Sequence, residues 1–313
     1  MIAPLQGLHH VTATVDAAQP DVDFCAGALG LRLVKKTVNF DNHHVYHFYY
    51  GDERGTPGTI WTTFPYHGRG VRVGTTGAGQ ITVTSLSIPS AAFGFWEKRL
   101  TDRGIDVSRR AERFEEASMV ATDPSGLRIE LVATDKDARK GWSGSVNEAS
   151  AVRGLHSVAM TIRSPEQTLE LMTGILGFQI VGEAGDRIRV GVNGAGPGRM
   201  VDLVLAPDAP QAVNGLGTVH HVAFAIPDDQ SQQALRERLI ALGYQVTPIM
   251  DRQYFRSIYF REPGGVLFEV ATMGPGFAVD ESVDCLGQDL KLPPWEEPHR
   301  AEIEAGLAPV SLP

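Results

Sequence analysis

Cysteine is nearly absent: the 313 residues contain two, Cys25 and Cys285. Two isolated thiols exclude a disulfide framework and a thiolate metal site, both of which need paired or clustered cysteines. No apolar run approaches the roughly 20 residues that cross a bilayer. The N-terminus has no charged stretch leading into an apolar core, so a cytoplasmic protein without a membrane partner is expected. Positive charge is in deficit: 28 Lys and Arg against 37 Asp and Glu give a net charge of -9 with no basic run, which excludes electrostatic binding of nucleic acid. The Gly194-Ala195-Gly196-Pro197-Gly198 stretch lacks the Lys-Ser/Thr pair of a phosphate loop and reads as a hairpin turn.

The rest is ordinary globular composition, 42% hydrophobic and 21% charged, arranged as an internal repeat. Four segments share a strand after Gly, a helix stopped by Gly, further strands, and a Gly-led apolar strand. They are residues 1–77, opening at Gly7-Leu8-His9-His10, and 78–134, opening at Gln80-Ile81-Thr82-Val83. The others are 154–215, opening at Gly154-Leu155-His156-Ser157, and 216–273, opening at Gly217-Thr218-Val219-His220-His221. Each reads βαβββ, too small to bury both faces alone. The expected fold is therefore α+β, with four βαβββ modules paired into two half-open barrels and helices outside. Residues 135–153 read as a connector and 274–313 as a C-terminal wrap ending in a short helix.

Strand alternation assigns the histidines. Val222, Phe224 and Ile226 share a face with His220, whereas His221 lies with Ala223 and Ala225. By the same rule His10, Thr12 and Thr14 oppose the apolar face of Val11, Ala13 and Val15, and Glu269 opposes Phe268 and Val270. His10, His221 and Glu269 should therefore face a cavity. At the equivalent first-strand position the four modules carry His10, Thr82, Ser157 and His221; at the last-strand position they carry Thr62, Glu130, Asp202 and Glu269. Pairing the first module with the second gives only His10 and Glu130, and pairing the third with the fourth gives Asp202, His221 and Glu269. Pairing the first with the fourth assembles His10, His221 and Glu269 beside a neutral Thr62, and we favour it because it places both histidines in one site. Two imidazoles and a carboxylate hold a divalent ion and leave positions open, an arrangement associated with ferrous iron and oxygen chemistry. Glu130 and Asp202 would then be vestiges of an emptied second site. His43, His44 and His47, with no carboxylate or strand partner in their spacing, read as a solvated face.

These motifs resemble the vicinal-oxygen-chelate (glyoxalase/bleomycin resistance/extradiol dioxygenase) superfamily. Leu8-His9-His10-Val11-Thr12, Gly55-Thr56-Pro57-Gly58-Thr59-Ile60-Trp61-Thr62-Thr63-Phe64-Pro65, His220-His221-Val222-Ala223-Phe224, Pro263-Gly264-Gly265-Val266-Leu267-Phe268-Glu269 and the Leu286-Gly287-Gln288-Asp289-Leu290-Lys291 tail together resemble its hydroquinone-type ring-cleaving dioxygenases. The resemblance implies Fe(II), with Mn(II) an alternative, held by His10, His221 and Glu269. It also implies an aromatic diol and O2 as partners, and supporting positions at Tyr259, Arg252, Thr12 and His220.

Within that reading Tyr259 has cavity parity and could move a proton or orient the oxygen adduct, Arg252 could steady oxyanion charge, and Thr12 would contact substrate. His220 has the parity to orient a neighbour or simply to pack. Two other functions fit the same fold. A glyoxalase-like isomerase would want a carboxylate at Thr62, and a metal-free binding or resistance protein would not need His10, His221 and Glu269 on one cavity. A homo-oligomer is left open by the sequence.

Overall fold

The computed structural model describes residues 4–313. The first module supplies β1 (Gly7–Val15), β2 (Arg32–Asn39), β3 (Asn42–Gly51) and β4 (Ile60–Pro65); the second supplies β5 (Gln80–Ile88), β6 (Val107–Arg113), β7 (Glu116–Thr122) and β8 (Arg128–Ala133). The third gives β9 (Gly154–Ile162), β10 (Gln179–Ala184), β11 (Arg187–Gly191) and β12 (Met200–Leu205); the fourth gives β13 (Thr218–Ile226), β14 (Met250–Asp251), β15 (Arg256–Arg261) and β16 (Leu267–Thr272). They form two eight-stranded sheets, ordered β14-β15-β16-β13-β1-β4-β3-β2 and β10-β11-β12-β9-β5-β8-β7-β6. Strands of the first and fourth modules thus share one curled sheet, and those of the second and third share the other. Among the described residues no helix is long and apolar enough to cross a membrane.

Helices α2 (Phe93–Thr101), α3 (Glu166–Gly174) and α4 (Asp229–Ala241) fall where the 3.6-residue periodicity places them. α2 buries Trp96 and Leu100, and α4 buries Gln232, Leu235 and Leu239. Asp228 caps α4, accepting a hydrogen bond from the Ser231 backbone N–H. The first module departs from this pattern: α1 (Ala18–Val22) is short and runs into a π-helical turn over Asp23–Ala28. The core joins the outer faces of both sheets to the helices, through Val11, Trp96, Leu155, Met172, Leu235 and Phe268. The rings of Phe178 and Phe268 lie 5.5 and 5.0 Å from that of Phe224, edge to face. Hydrophobic burial at about 25 cal/mol per Å² makes such cores the main favourable term in folding.

Each sheet is closed at its centre by an antiparallel join that carries two bulges. On β1–β13, Leu8 pairs with Phe224 and His10 with Ala223, leaving His9 extra; Thr12 pairs with His221 and Ala13 with Val219, leaving His220 extra. On β5–β9 the extra residues are Thr82 and His156. A bulge reverses the alternation that follows it. Leu8 and His10 would share a face in a regular strand; with His9 inserted, Leu8 enters the core and His10 faces the concave side. Strict period-two alternation would place His9 on the apolar face with Val11 and Ala13, and the bulge is why it is not there. The register also corrects one repeat position: Ala223 pairs with Glu269 and Ser85 with Glu130, so Val83, not Thr82, stands where His221 does.

Asp202 and Glu130, in the second sheet, are occupied by arginines. The Arg189 fork reaches Asp202 at 2.7 and 3.1 Å, and Arg113 pairs with Glu130. The Phe114 ring lies 4.0 Å from the Arg189 guanidinium and covers it. The C-terminal wrap runs back along the first sheet and is anchored by Lys35, whose fully buried ammonium donates to Asp280 at 2.6 Å and to Glu281. Its last helix is α5 (Arg300–Gly306), after which Ser311 reaches Gln19.

Candidate metal centre

His10 on β1, His221 on β13 and Glu269 on β16 converge on the concave side of the first sheet. Glu269 reaches that position because β16 is launched from a tight turn: Gly265 has φ +103, which L side chains rarely adopt, and the Glu262 carboxylate accepts from the Gly264 and Val266 N–H groups. His221 Nε2 lies 2.8 Å and His10 Nε2 3.3 Å from Glu269 Oε2, and the two Nε2 atoms are 3.3 Å apart. All three side chains are buried. Glu269 Oε1 accepts a short hydrogen bond from Ser257, but Oε2 is buried with no hydrogen-bond partner. A buried carboxylate oxygen left without a donor, facing two imidazole nitrogens, is costly unless a cation completes it. The donor set therefore fits a divalent metal ion.

The two bulge histidines back the two converging ones. His9 Nε2 lies 3.2 Å from the Thr272 carbonyl and its Nδ1 lies 2.9 Å from His10 Nδ1. With the His9 Nε2–H donating to that carbonyl, His9 Nδ1 accepts from His10 Nδ1–H, and the His10 Nε2 lone pair points at Glu269 and His221. Burial, with His10 adding, lowers the His9 pKa to about 3, which keeps its Nδ1 a bare acceptor. His220 Nδ1 lies 2.8 Å from His221 Nδ1 in the same relation, with its other edge exposed at the cavity. Sequence alternation missed His9; the signal that could have found it is the doublet itself, since each of these pairs carries a bulge.

A cavity of about 450 Å³ opens over Glu269, walled by Phe40, Tyr49, Phe64, Phe255 and Tyr259. Tyr259 pairs with Glu269 across β15–β16, and its ring is edge-on to His221 at 5.8 Å. Its hydroxyl accepts from Arg252 Nε at 3.1 Å, while the rest of the guanidinium holds Asp41 at 3.1 and 3.3 Å. Burial and then the Glu269 charge push the Tyr259 phenol far above its ordinary value, so it stays protonated.

Two expectations change here. Thr12 is fully buried and does not border the cavity: its hydroxyl accepts from Thr62 at 2.9 Å, and Thr62 in turn lies 2.9 Å from His47 Nε2. His47, expected on a solvated face, instead lines the cavity. Burial, then the fields of His10 and His221, keep His47 well below its ordinary value and neutral.

Residues 154–270 match the Glyoxalase/Bleomycin resistance protein/Dioxygenase superfamily model. Over the whole chain, the protein is 43% identical to the "Putative ring-cleaving dioxygenase MhqO" of Bacillus subtilis (strain 168), covering 100% of this chain and 99% of that one. It is 37% identical to the chlorohydroquinone/hydroquinone 1,2-dioxygenase of Sphingobium indicum, over 96% of this chain and 95% of the relative. A crystal structure of a dioxygenase-type protein from Bacillus subtilis superposes with a TM-score of 0.94 at 43% identity, covering 99% of each chain. The chain belongs to the glyoxalase/bleomycin resistance protein/dioxygenase superfamily, within its family of ring-cleaving dioxygenases.

Proposed function

We propose that the protein is an Fe(II)-dependent ring-cleaving dioxygenase that inserts both atoms of O2 into a hydroquinone-type aromatic diol. The observation that carries this reading is the orphaned Glu269 Oε2, set with two imidazole nitrogens beneath an aromatic-walled cavity. Two relatives' names, ring-cleaving dioxygenase and hydroquinone 1,2-dioxygenase, support the substrate class. His10, His221 and Glu269 would hold the iron, and a bound ferrous ion would supply the open positions at which a phenolate and O2 meet.

The chain's own residues then have separate tasks. His9 and His220 hold the two ligating rings in one tautomer and one plane. Because Arg252 donates to the Tyr259 oxygen, the phenolic proton of Tyr259 is free to be given to an oxygen atom in the cavity. The Arg252 charge beside it favours anionic oxygen there. His47, fixed through Nε2 by Thr62, offers Nδ1 as an acceptor for the diol's second hydroxyl. Phe40, Phe64 and Phe255 exclude water around the ring.

The isomerase reading is disfavoured because the Thr62 hydroxyl is committed to His47 and Thr12 and supplies no fourth charge. A metal-free binding role is disfavoured by the unpartnered Oε2. The deciding test is anaerobic reconstitution with Fe(II), followed by a panel of hydroquinones and catechols under heavy-isotope O2. A ring-opened product carrying two labelled atoms is expected; quinone and peroxide without ring opening would sink the dioxygenase reading.

A further inference from the structure

A third histidine doublet, His43-His44, lies at the start of β3, where the carboxylate nearest in sequence, Asp41, is held by Arg252. The fold supplies one from the far end of the chain. Glu302, on α5, places a carboxylate oxygen within 4.8 Å of ligating nitrogens of both His43 and His44, which lie within the same distance of each other. The two rings are edge to face at 4.4 Å. Glu296 also reaches in, with Oε2 at 2.8 Å from His43 Nδ1. With that Nδ1–H donating to the carboxylate, the His43 lone pair sits on Nε2, and this is the device that orients imidazoles which bind metals. His299 lies alongside His43, with ring centroids 5.9 Å apart.

From these contacts we propose a second divalent-metal site at His43, His44 and Glu302, with Glu296 as the residue that positions His43. Imidazole-rich donors with one carboxylate favour a borderline ion of the zinc class, completed by water, over the harder magnesium or calcium. This site does not depend on the ring-cleaving reading and shares no residue with His10, His221 and Glu269.

Its consequence follows from which elements it joins. His43 and His44 belong to the β2–β3 hairpin, whose turn puts Asn39, Phe40 and Asp41 on the wall of the catalytic cavity. Glu302 and Glu296 belong to the C-terminal wrap, whose Trp295 packs edge-on to Phe40 at 5.6 Å. An ion bound between them ties the wrap to the hairpin, so metal binding there would lower local opening of the C-terminal segment.

The experiment is zinc titration of untagged, metal-stripped protein by calorimetry, with limited proteolysis alongside. Wild type should take up two equivalents of Zn²⁺. His44→Ala and Glu302→Gln should each take up one, with the uptake at His10, His221 and Glu269 intact. Glu296→Gln should keep both equivalents while weakening the second about tenfold, as loss of an orienting partner does. Cleavage within residues 290–313 should slow with zinc in wild type and not in His44→Ala. Two full equivalents in both His44→Ala and Glu302→Gln, or a single equivalent in wild type, would overturn the site. Zinc uptake with unchanged tail cleavage would overturn the tether. His44 and Glu302 are exposed and Glu296 is partly buried, and circular dichroism of each variant confirms that a lost equivalent is not a lost fold.

Discussion

His10 Nε2 and His221 Nε2 lie 3.3 Å apart although 211 positions separate them in the chain. Antiparallel pairing of β1 with β13 makes that approach, and the two bulges in the join turn both rings to the same side. Replacing either histidine, or Glu269, by Ala should abolish stoichiometric iron and turnover together, because a three-donor site has no spare ligand. Metal analysis of anaerobically purified protein reads this directly. Asp202→Ala is the informative control: it should keep iron but lower thermal stability, since the buried Arg189 loses two hydrogen bonds and keeps only Glu116, a loss of about 1–3 kcal/mol. Iron loss in the Asp202 variant, with retention in His10→Ala, would refute the site.

His9 should matter to affinity more than to chemistry. His9→Phe removes the acceptor for His10 Nδ1–H and should weaken Fe(II) binding by about 10–100-fold. His9→Gln should recover part of this, because an amide can accept from His10 while donating to the Thr272 carbonyl. Competition with a chromogenic chelator measures both. Equal affinity for wild type and His9→Phe would reduce His9 to packing.

The doublets show what a sequence makes legible. The pairing of the first and fourth modules could be read from where His10, His221 and Glu269 recur in the repeat, because repeat position survives folding. Which side His9 faces could not, because a bulge is decided by pairing with a strand distant in the chain. His47 was hidden for a related reason. Its partner Thr62 is across β3–β4, and its place on the cavity depends on the curl of the sheet. The second sheet's Glu130 and Asp202 were legible as acidic positions, but the arginines that neutralise them come from other strands, β6 two strands from Glu130 and β11 beside Asp202.

Tyr259→Phe separates proton handling from iron binding. The change removes one hydroxyl and almost no volume, so iron content should persist while kcat falls by about a hundredfold. Arg252 loses its contact to that oxygen but keeps Asp41. Near wild-type turnover, measured by oxygen uptake, would return Tyr259 to the cavity wall.

Asp21 should make stability depend on pH in the opposite sense to an ion-paired carboxylate. It is buried on α1, accepting from Tyr50 at 2.8 Å, from Thr63 at 2.6 Å and from Cys25 at 3.7 Å. Burial raises its pKa from 3.8 to about 7, with the hydrogen bonds from Thr63 and Tyr50 acting against the shift. A group raised in the folded state favours folding fully below its unfolded pKa and loses that contribution as pH rises to the folded value. The loss should therefore develop between about pH 4 and pH 7 and reach on the order of 4 kcal/mol above it. Asp21→Asn keeps an oxygen for Tyr50 and Thr63 and carries no charge. Subtracting its unfolding free energy from that of wild type cancels the histidines, which titrate in both proteins. The variant's relative stability should climb through that window and level off near pH 7.5. A difference that stays flat from pH 4 to pH 8 in denaturant titrations would mean that Asp21 is ionised in the folded protein at ordinary pH.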